Sequence, residues 1–197
     1  MKIFSLLFIS LFSILVHGQD CTYSKISKQY NFKVHIKSVP QKGDADSVFV
    51  SVRIFNKGEM LLQKIEFSSN LFLLPLTDCN DYRSYTTGVN KNRKVLDWDY
   101  GDIITADFNF DGLEDIAVKR EQGGNSGPKY YFYVNTKDGV FKRDKFLSGI
   151  GYFPAEFVAI QKKLIFRIRA NSNETEIITS QYNAALQKWK VLNKVVK

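Results

Sequence analysis

A chain of 197 residues holds one medium domain or two very small ones, and its 16 Phe and 10 Tyr against 4 Pro exclude a disordered polymer in favour of a β-rich core. The formal charge of +8 comes from basic residues scattered along the chain. Scattered charge reads as solvated strand faces with, at most, weak attraction to anionic wall polymers, and without a recognised module no nucleic-acid partner is expected.

The first element is a processing segment. Lys2 supplies a positive start, Ile3 to Val16 is almost continuously apolar, and Val16, His17 and Gly18 set up cleavage before Gln19. The apolar run is too short for a comfortable membrane span. Residues 1–18 are therefore expected to be a signal peptide, and residues 19–197 one β-rich domain. Cleavage removes Lys2 alone among the counted charges, so the formal +8 becomes +7. Gln19 and Asp20 stand where a lipoprotein needs small residues before Cys21. The mature chain is expected to be exported, periplasmic or secreted, with no membrane insertion. In an oxidising compartment Cys21 and Cys79 most simply form one disulfide, two free thiols being the alternative.

Strand signals then follow at about ten-residue spacing. Tyr30 to Val39 alternates with Phe32, Val34 and Ile36 on one face, and His35 on the other, toward solvent. A turn over 40–46 leads to Ser47–Phe55, with Val48, Val50, Val52 and Ile54 inward. Met60 to Phe67 is a third strand, and Asn70 to Leu76 is a short apolar run expected to be buried. Residues 77–94 are polar and aperiodic, the candidate long loop or seam. Further strands are expected at Asp102–Ala106, Ile116–Lys119, Tyr130–Val134, Val140–Phe146, Phe157–Ile160, Leu164–Ile168, Glu176–Tyr182 and Lys188–Leu192. Helical periodicity is weak throughout. The fold class is all-β: an antiparallel β-sandwich-like domain with a calcium-binding loop between strands.

That loop reads D-x-N-x-D-G-x-x-D over Asp107 to Asp115. Oxygen-bearing side chains at alternate positions, with Gly112 allowing a tight curl, suit a hard cation that takes six to eight oxygens. Asp107, Asn109, Asp111 and Asp115 are the candidate side-chain ligands for Ca²⁺, with the Leu113 carbonyl as backbone ligand. The competing reading is a bare turn whose Asn, Asp and Gly meet a demand for positive φ. An EF-hand closes with Glu at position 12, where this chain has Val118. A single such loop also argues against a propeller with one loop per blade.

A second loop follows, with Gly123, Gly124, Gly127 and Pro128. Its tip carries little side-chain bulk, so it can enter a narrow cleft, with Ser126 at the deepest point and Tyr130 as a rigid aromatic anchor. An ordinary glycine-rich turn with a core tyrosine is the alternative. Elsewhere there is no Cys/His pair, no Gly-x-Ser-x-Gly and no phosphate loop, so the chain is not expected to be an enzyme.

Ser126, Gly127 and Tyr130 form an S-G-x-x-Y motif that resembles bacterial periplasmic inhibitors of invertebrate-type lysozymes. The stretch Asp107–Val134 is similar to calcium-binding exported proteins that include immunity proteins against lysozyme-like effectors of type IV secretion. The resemblance covers residues 100–197 and is most specific over 107–134. It implies a protein that inhibits a lysozyme-type peptidoglycan hydrolase by loop insertion. Ser126 would meet the catalytic carboxylates, Tyr130 would support the loop or pack in the groove, and Ca²⁺ would brace the hairpin. At +7 the chain repels a strongly basic enzyme, which favours a neutral or acidic target or a local acidic face built from Asp97, Asp99, Asp102 and the acids of the Asp107–Asp115 loop. The competing reading is a calcium-stabilised binding module for glycan or protein without inhibitory activity; a cell-wall enzyme is the third.

Overall fold

The computed structural model describes residues 18–39, 47–69 and 79–197, and within them the protein is 54% strand and 6% helix. The all-β expectation holds. The strands form three sheets. The first is an antiparallel meander of β1 (Gly18–Tyr23), β2 (Tyr30–Val39), β3 (Ser47–Asn56) and β4 (Leu61–Ser69). The second runs β5 (Tyr82–Ser84), β6 (Ile103–Ala106), β7 (Asp115–Glu121), β8 (Lys129–Asn135) and β9 (Phe141–Arg143). The third is β10 (Glu156–Val158), β11 (Lys163–Arg169), β12 (Thr175–Asn183) and β13 (Lys188–Val196), again antiparallel.

The second sheet is the middle layer. Ile103, Ile116, Val118, Tyr133 and Phe141 on one face pack with Phe32, Val34, Val52 and Ile54 of the first sheet. Ile104, Ala106, Ala117, Tyr130 and Phe132 on the other face pack with Leu164, Phe166 and Ile178 of the third. The period-two alternation of side chains is what sends neighbouring residues into separate cores. In β7 six of the seven residues are buried, Asp115 and Lys119 among them.

In β2 and β3 the predicted inward residues are buried, and His35 sits half-buried beside Asp20 at 3.1 Å. Three expectations change. The stretch taken as a loop or seam carries β5, which pairs parallel to β6. Its Arg83 is buried and donates to the carbonyls of Tyr100, Lys91 and Arg93 at 2.8–3.0 Å. A strand only three residues long is invisible to periodicity. The strand predicted over Val140–Phe146 ends at Arg143, and α1 (Lys145–Ile150) begins. Asp144 caps it by accepting from Leu147 N, and Gly151 closes it at φ +78; six residues are too few for a 3.6-residue period to register. Finally, β10 stops at Val158 and a 3₁₀ turn, Ala159–Gln161, takes the expected strand end. The apolar run Asn70–Leu76, the turn over 40–46 and the signal segment through His17 lie outside the described residues.

Cys21 and Cys79 are bonded, with Cα atoms 5.3 Å apart. The bridge ties β1 to the chain just before β5, so it joins the first sheet to the second. Closing 58 residues of separation removes about 4 kcal/mol of unfolded-chain entropy in the loop-closure treatment. Replacing both cysteines by serine is expected to lower unfolding free energy by about that amount, measured by urea titration. An unchanged midpoint would show that the bridge contributes nothing.

Candidate functional site

Both loops singled out by the sequence are mounted on β7. The first spans the turn between β6 and β7. Its backbone is organised by its own side chains. Asp107 accepts Asp111 N at 3.0 Å and Gly112 N at 2.9 Å. Asn109 accepts Asp111 N and donates to the Asp111 carboxylate at 2.9 Å, and Asp111 accepts Leu113 N at 2.8 Å. Phe110 and Gly112 take positive φ, +59 and +85, which lets the chain curl. Asp107, Asn109 and Asp111 therefore meet around one turn with Leu113 beside them.

Asp115 behaves differently. It is wholly buried, and its two oxygens accept Phe108 N and Asn135 N, each at 2.8 Å. Both oxygens hold a backbone N–H across the base of the loop, so Asp115 braces it from a buried position, whereas Asp107 is half-buried and Asp111 exposed. Burial first, then the nearby charges of Asp111 and Asp107, pushes its carboxyl well above the usual range. Glu114, which the pattern left unassigned, is a second brace. It accepts Ser27 Oγ at 2.5 Å and Lys28 N at 3.0 Å and so pins the β1–β2 connection to the loop. The donor set of Asp107, Asn109, Asp111, Asp115 and the Leu113 carbonyl suits a hard cation, since a carboxylate oxygen that accepts one N–H keeps a second lone pair. Among the described residues no three acidic, His or Cys side chains converge as a metal-holding group.

The second loop joins β7 to β8. Gly123, Gly124 and Asn125 are exposed, whereas Ser126 is half-buried and Gly127 and Pro128 are buried. The projecting tip is therefore 123–125. Ser126 does not stand at its apex: its hydroxyl donates to the Arg169 carbonyl at 2.5 Å and ties the loop to the third sheet. Gly127 lies against the Asp97–Trp98 turn, where an added Cβ would meet Trp98 Cβ at 2.6 Å. At Gly123 an added Cβ would meet the Gly127 carbonyl oxygen at 1.8 Å. Both glycines have positive φ, so the loop's shape depends on them.

Tyr130 is fully buried among Phe132 and Phe153. Its hydroxyl accepts Tyr100 N at 3.3 Å and faces Asp99 at 3.5 Å. The role of groove-filling anchor is thereby removed, and the supporting role is the one its position allows.

Beneath this loop lies a charge cluster that the sequence hid, because its members are far apart in the chain. Lys119, with 5% of its side chain exposed, meets Asp99 and Asp102 at 2.7 Å each and Asp81 at 3.7 Å. Burial alone would lower the lysine; the charges of Asp102 and Asp99 outweigh it and hold the ammonium above its ordinary range. Lys119 is shared among three carboxylates, of which Asp81 also meets Arg93 at 3.3 Å. Burial pushes Asp102 up from 3.8 to about 6 despite the pull of Lys119. Of the acidic face expected at Asp97, Asp99 and Asp102, the last two are thus absorbed into this cluster, and Asp97 remains exposed.

Trp98 and Asp97 stand opposite the glycine loop across a cleft of about 570 Å³, with Gln122, Asn125 and Arg169 also lining it. Asp97 and Trp98 both have positive φ, +48 and +63. A bulky Trp in that region is strained by roughly 1–2 kcal/mol.

The chain matches no family model, no curated protein and no solved structure. Among the described residues no helix is long and apolar enough to cross a membrane, and the Cys21–Cys79 bridge is of the kind that persists outside reducing compartments.

Because protonation of Asp102 is favoured by folding, its contribution to stability is full below 3.8 and is lost as pH rises through about 6. Asp102→Asn removes that dependence. The stability of the native protein relative to this variant is expected to decline between those two pH values, measured by denaturant titration at each pH. A difference independent of pH over the window would show that Asp102 stays ionised.

Proposed function

We propose that this is an exported protein that inhibits a lysozyme-type peptidoglycan hydrolase by inserting the loop around Gly123–Ser126 into the enzyme's substrate groove. One observation carries the reading: a slim, exposed Gly123–Gly124–Asn125 tip on a stem fixed at three points. Gly127 packs on Trp98, Ser126 bonds the Arg169 carbonyl, and the buried Tyr130 holds the base. A loop ordered before contact loses little further entropy on binding, and this is where rigid inhibitors gain affinity. Within this reading Tyr130 and Gly127 shape the loop, Ser126 fastens its inner side, and the contacting atoms are those of the tip. A formal charge of +7 after cleavage directs it to a neutral or acidic enzyme.

The test uses Gly124, where an added Cβ meets nothing within 4 Å. Gly124→Trp fits the fold but not a narrow groove. The mature protein is expected to slow lysis of peptidoglycan by at least one enzyme of a lysozyme panel, and Gly124→Trp to weaken that inhibition at least roughly tenfold with an unchanged melting temperature. Inhibition by neither protein, or equally by both, refutes loop insertion.

Ca²⁺ at Asp107, Asn109, Asp111, Asp115 and the Leu113 carbonyl would cross-brace the β6–β7 turn; its chemistry here is structural, drawing three carboxylates together. A ligand bound only by the folded state adds RT ln(1 + [L]/Kd) to stability. Millimolar Ca²⁺ is expected to raise the melting temperature relative to chelator, and Asp107→Asn with Asp111→Asn to abolish the rise. Identical melting in chelator and Ca²⁺ would remove the ion from the proposal.

A second reading rests on the Trp98 cleft. Strain tends to persist where function holds it, and an aromatic face beside Gln122, Asn125 and Arg169 suits a sugar ring and its hydroxyls. In that case the protein binds glycan without inhibiting anything, and Trp98→Ala would abolish retention on a peptidoglycan column.

A further inference from the structure

The corner where β7, β8, β9 and α1 meet concentrates positive charge. Arg120 of β7 and Arg143 of β9 both lie over the ring of Tyr131, at 4.9 and 3.6 Å from its centroid. Lys145 of α1 joins them in lining a cavity of about 520 Å³, with Ser148 and Gly149 completing the wall. No carboxylate lines it. Arg120 has Glu121 at 3.1 Å, but among the described residues neither Arg143 nor Lys145 has an ion-pair partner. The Arg120 Nε is enclosed and without a hydrogen-bond partner.

Cations lining one cavity with no carboxylate in its wall leave their charge unbalanced there, and an enclosed N–H without an acceptor is costly. Both guanidinium groups are held against Tyr131 and both line the one cavity. The local field is visible in Tyr131 itself. Burial would raise its phenol, but hydrogen bonding to Arg120 and the charges of Arg143 and Arg120 prevail and hold it below its ordinary value.

We propose that Arg120, Arg143 and Lys145 form a binding site for a phosphate group. Guanidinium presents a planar fork of donors that matches a tetrahedral oxyanion, and the lysine adds a mobile point charge. Three cations call for a ligand of about two negative charges, which a phosphate monoester supplies and a single carboxylate does not. The cavity is larger than a bare ion needs, so it has room for part of the molecule that carries the phosphate. The site is independent of the glycine loop and of the inhibitor reading.

The probe is inorganic phosphate, titrated into the mature protein at constant ionic strength while arginine Nε resonances are followed by NMR. Saturable shifts of Arg120 and Arg143 are expected, with affinity reduced roughly tenfold or more in Arg143→Gln/Lys145→Gln. Both residues are exposed, so the fold is retained; Lys145→Gln alone, which leaves the Tyr131 stack intact, is expected to show part of the loss. Arg53→Gln, on the first sheet, is expected to bind as the native chain does. Equal shifts with chloride, no saturation, or unchanged binding in the double variant would overturn the site. Sedimentation with phosphatidic acid vesicles, lost in the same double variant, would assign the phosphate to a lipid headgroup; phosphate binding without sedimentation assigns it to a soluble ester.

Discussion

The constraint behind most of this molecule is that β7, the central strand of its middle sheet, is buried on both faces. With Ile116 and Val118 in one core and Ala117 in the other, β7 must find an internal partner for every polar group it carries. Asp115, Lys119 and Glu121 are all buried in it. Asp115 takes backbone N–H groups, Lys119 gathers acids, and Glu121 meets Arg120 and Lys129 at 3.1 and 3.5 Å. These polar residues are the pins by which the loops and turns of the middle sheet are fastened to its central strand.

The loops inherit their geometry from those pins. Asp115 closes the base of the oxygen-rich turn, and Glu114 beside it reaches the β1–β2 connection, so one dipeptide anchors both the turn and the first sheet. At the opposite end of β7, the Lys119 cluster holds Asp99 and with it the turn that carries Trp98. Trp98 in turn supplies the surface on which Gly127 rests. A strained turn, a buried ion cluster and a glycine loop are therefore one mechanical unit. That explains why a glycine-rich segment, intrinsically the most flexible kind, is held in one shape.

The sheet order has a further effect. Neighbouring strands in sequence are neighbours in space in all three sheets. Most pairing is therefore local, and the long-range work is done by side chains: the Cys21–Cys79 bridge, Ser84 Oγ donating to the Ile26 carbonyl at 2.7 Å, and Gln63 exchanging hydrogen bonds with the Phe141 backbone at 2.8 and 2.9 Å.

Much of this was legible in the chain. Alternation in Phe32, Val34, Ile36 and in Val48, Val50, Val52, Ile54 determined strand identity and inward face, because a period of two leaves no choice once one face is apolar. The spacing of Asp107, Asn109, Asp111 and Gly112 determined a turn organised by its own side chains, since at that spacing their oxygens reach the loop's own N–H groups. The oxidised pair of cysteines followed from there being two. Short elements escaped: β5 and α1 are too brief for any period to show. Tertiary structure alone decided that Asp115 is buried at the base of the turn while Asp111 stays exposed. It alone decided that Tyr130 is a buried post and that Gly123–Asn125, not Ser126, forms the tip. It also gathered Asp81, Asp99, Asp102 and Lys119, and separately Arg120, Arg143 and Lys145, from distant parts of the chain. Local sequence controls what a residue's own backbone does; burial and charge depend on what the other sheets bring against it.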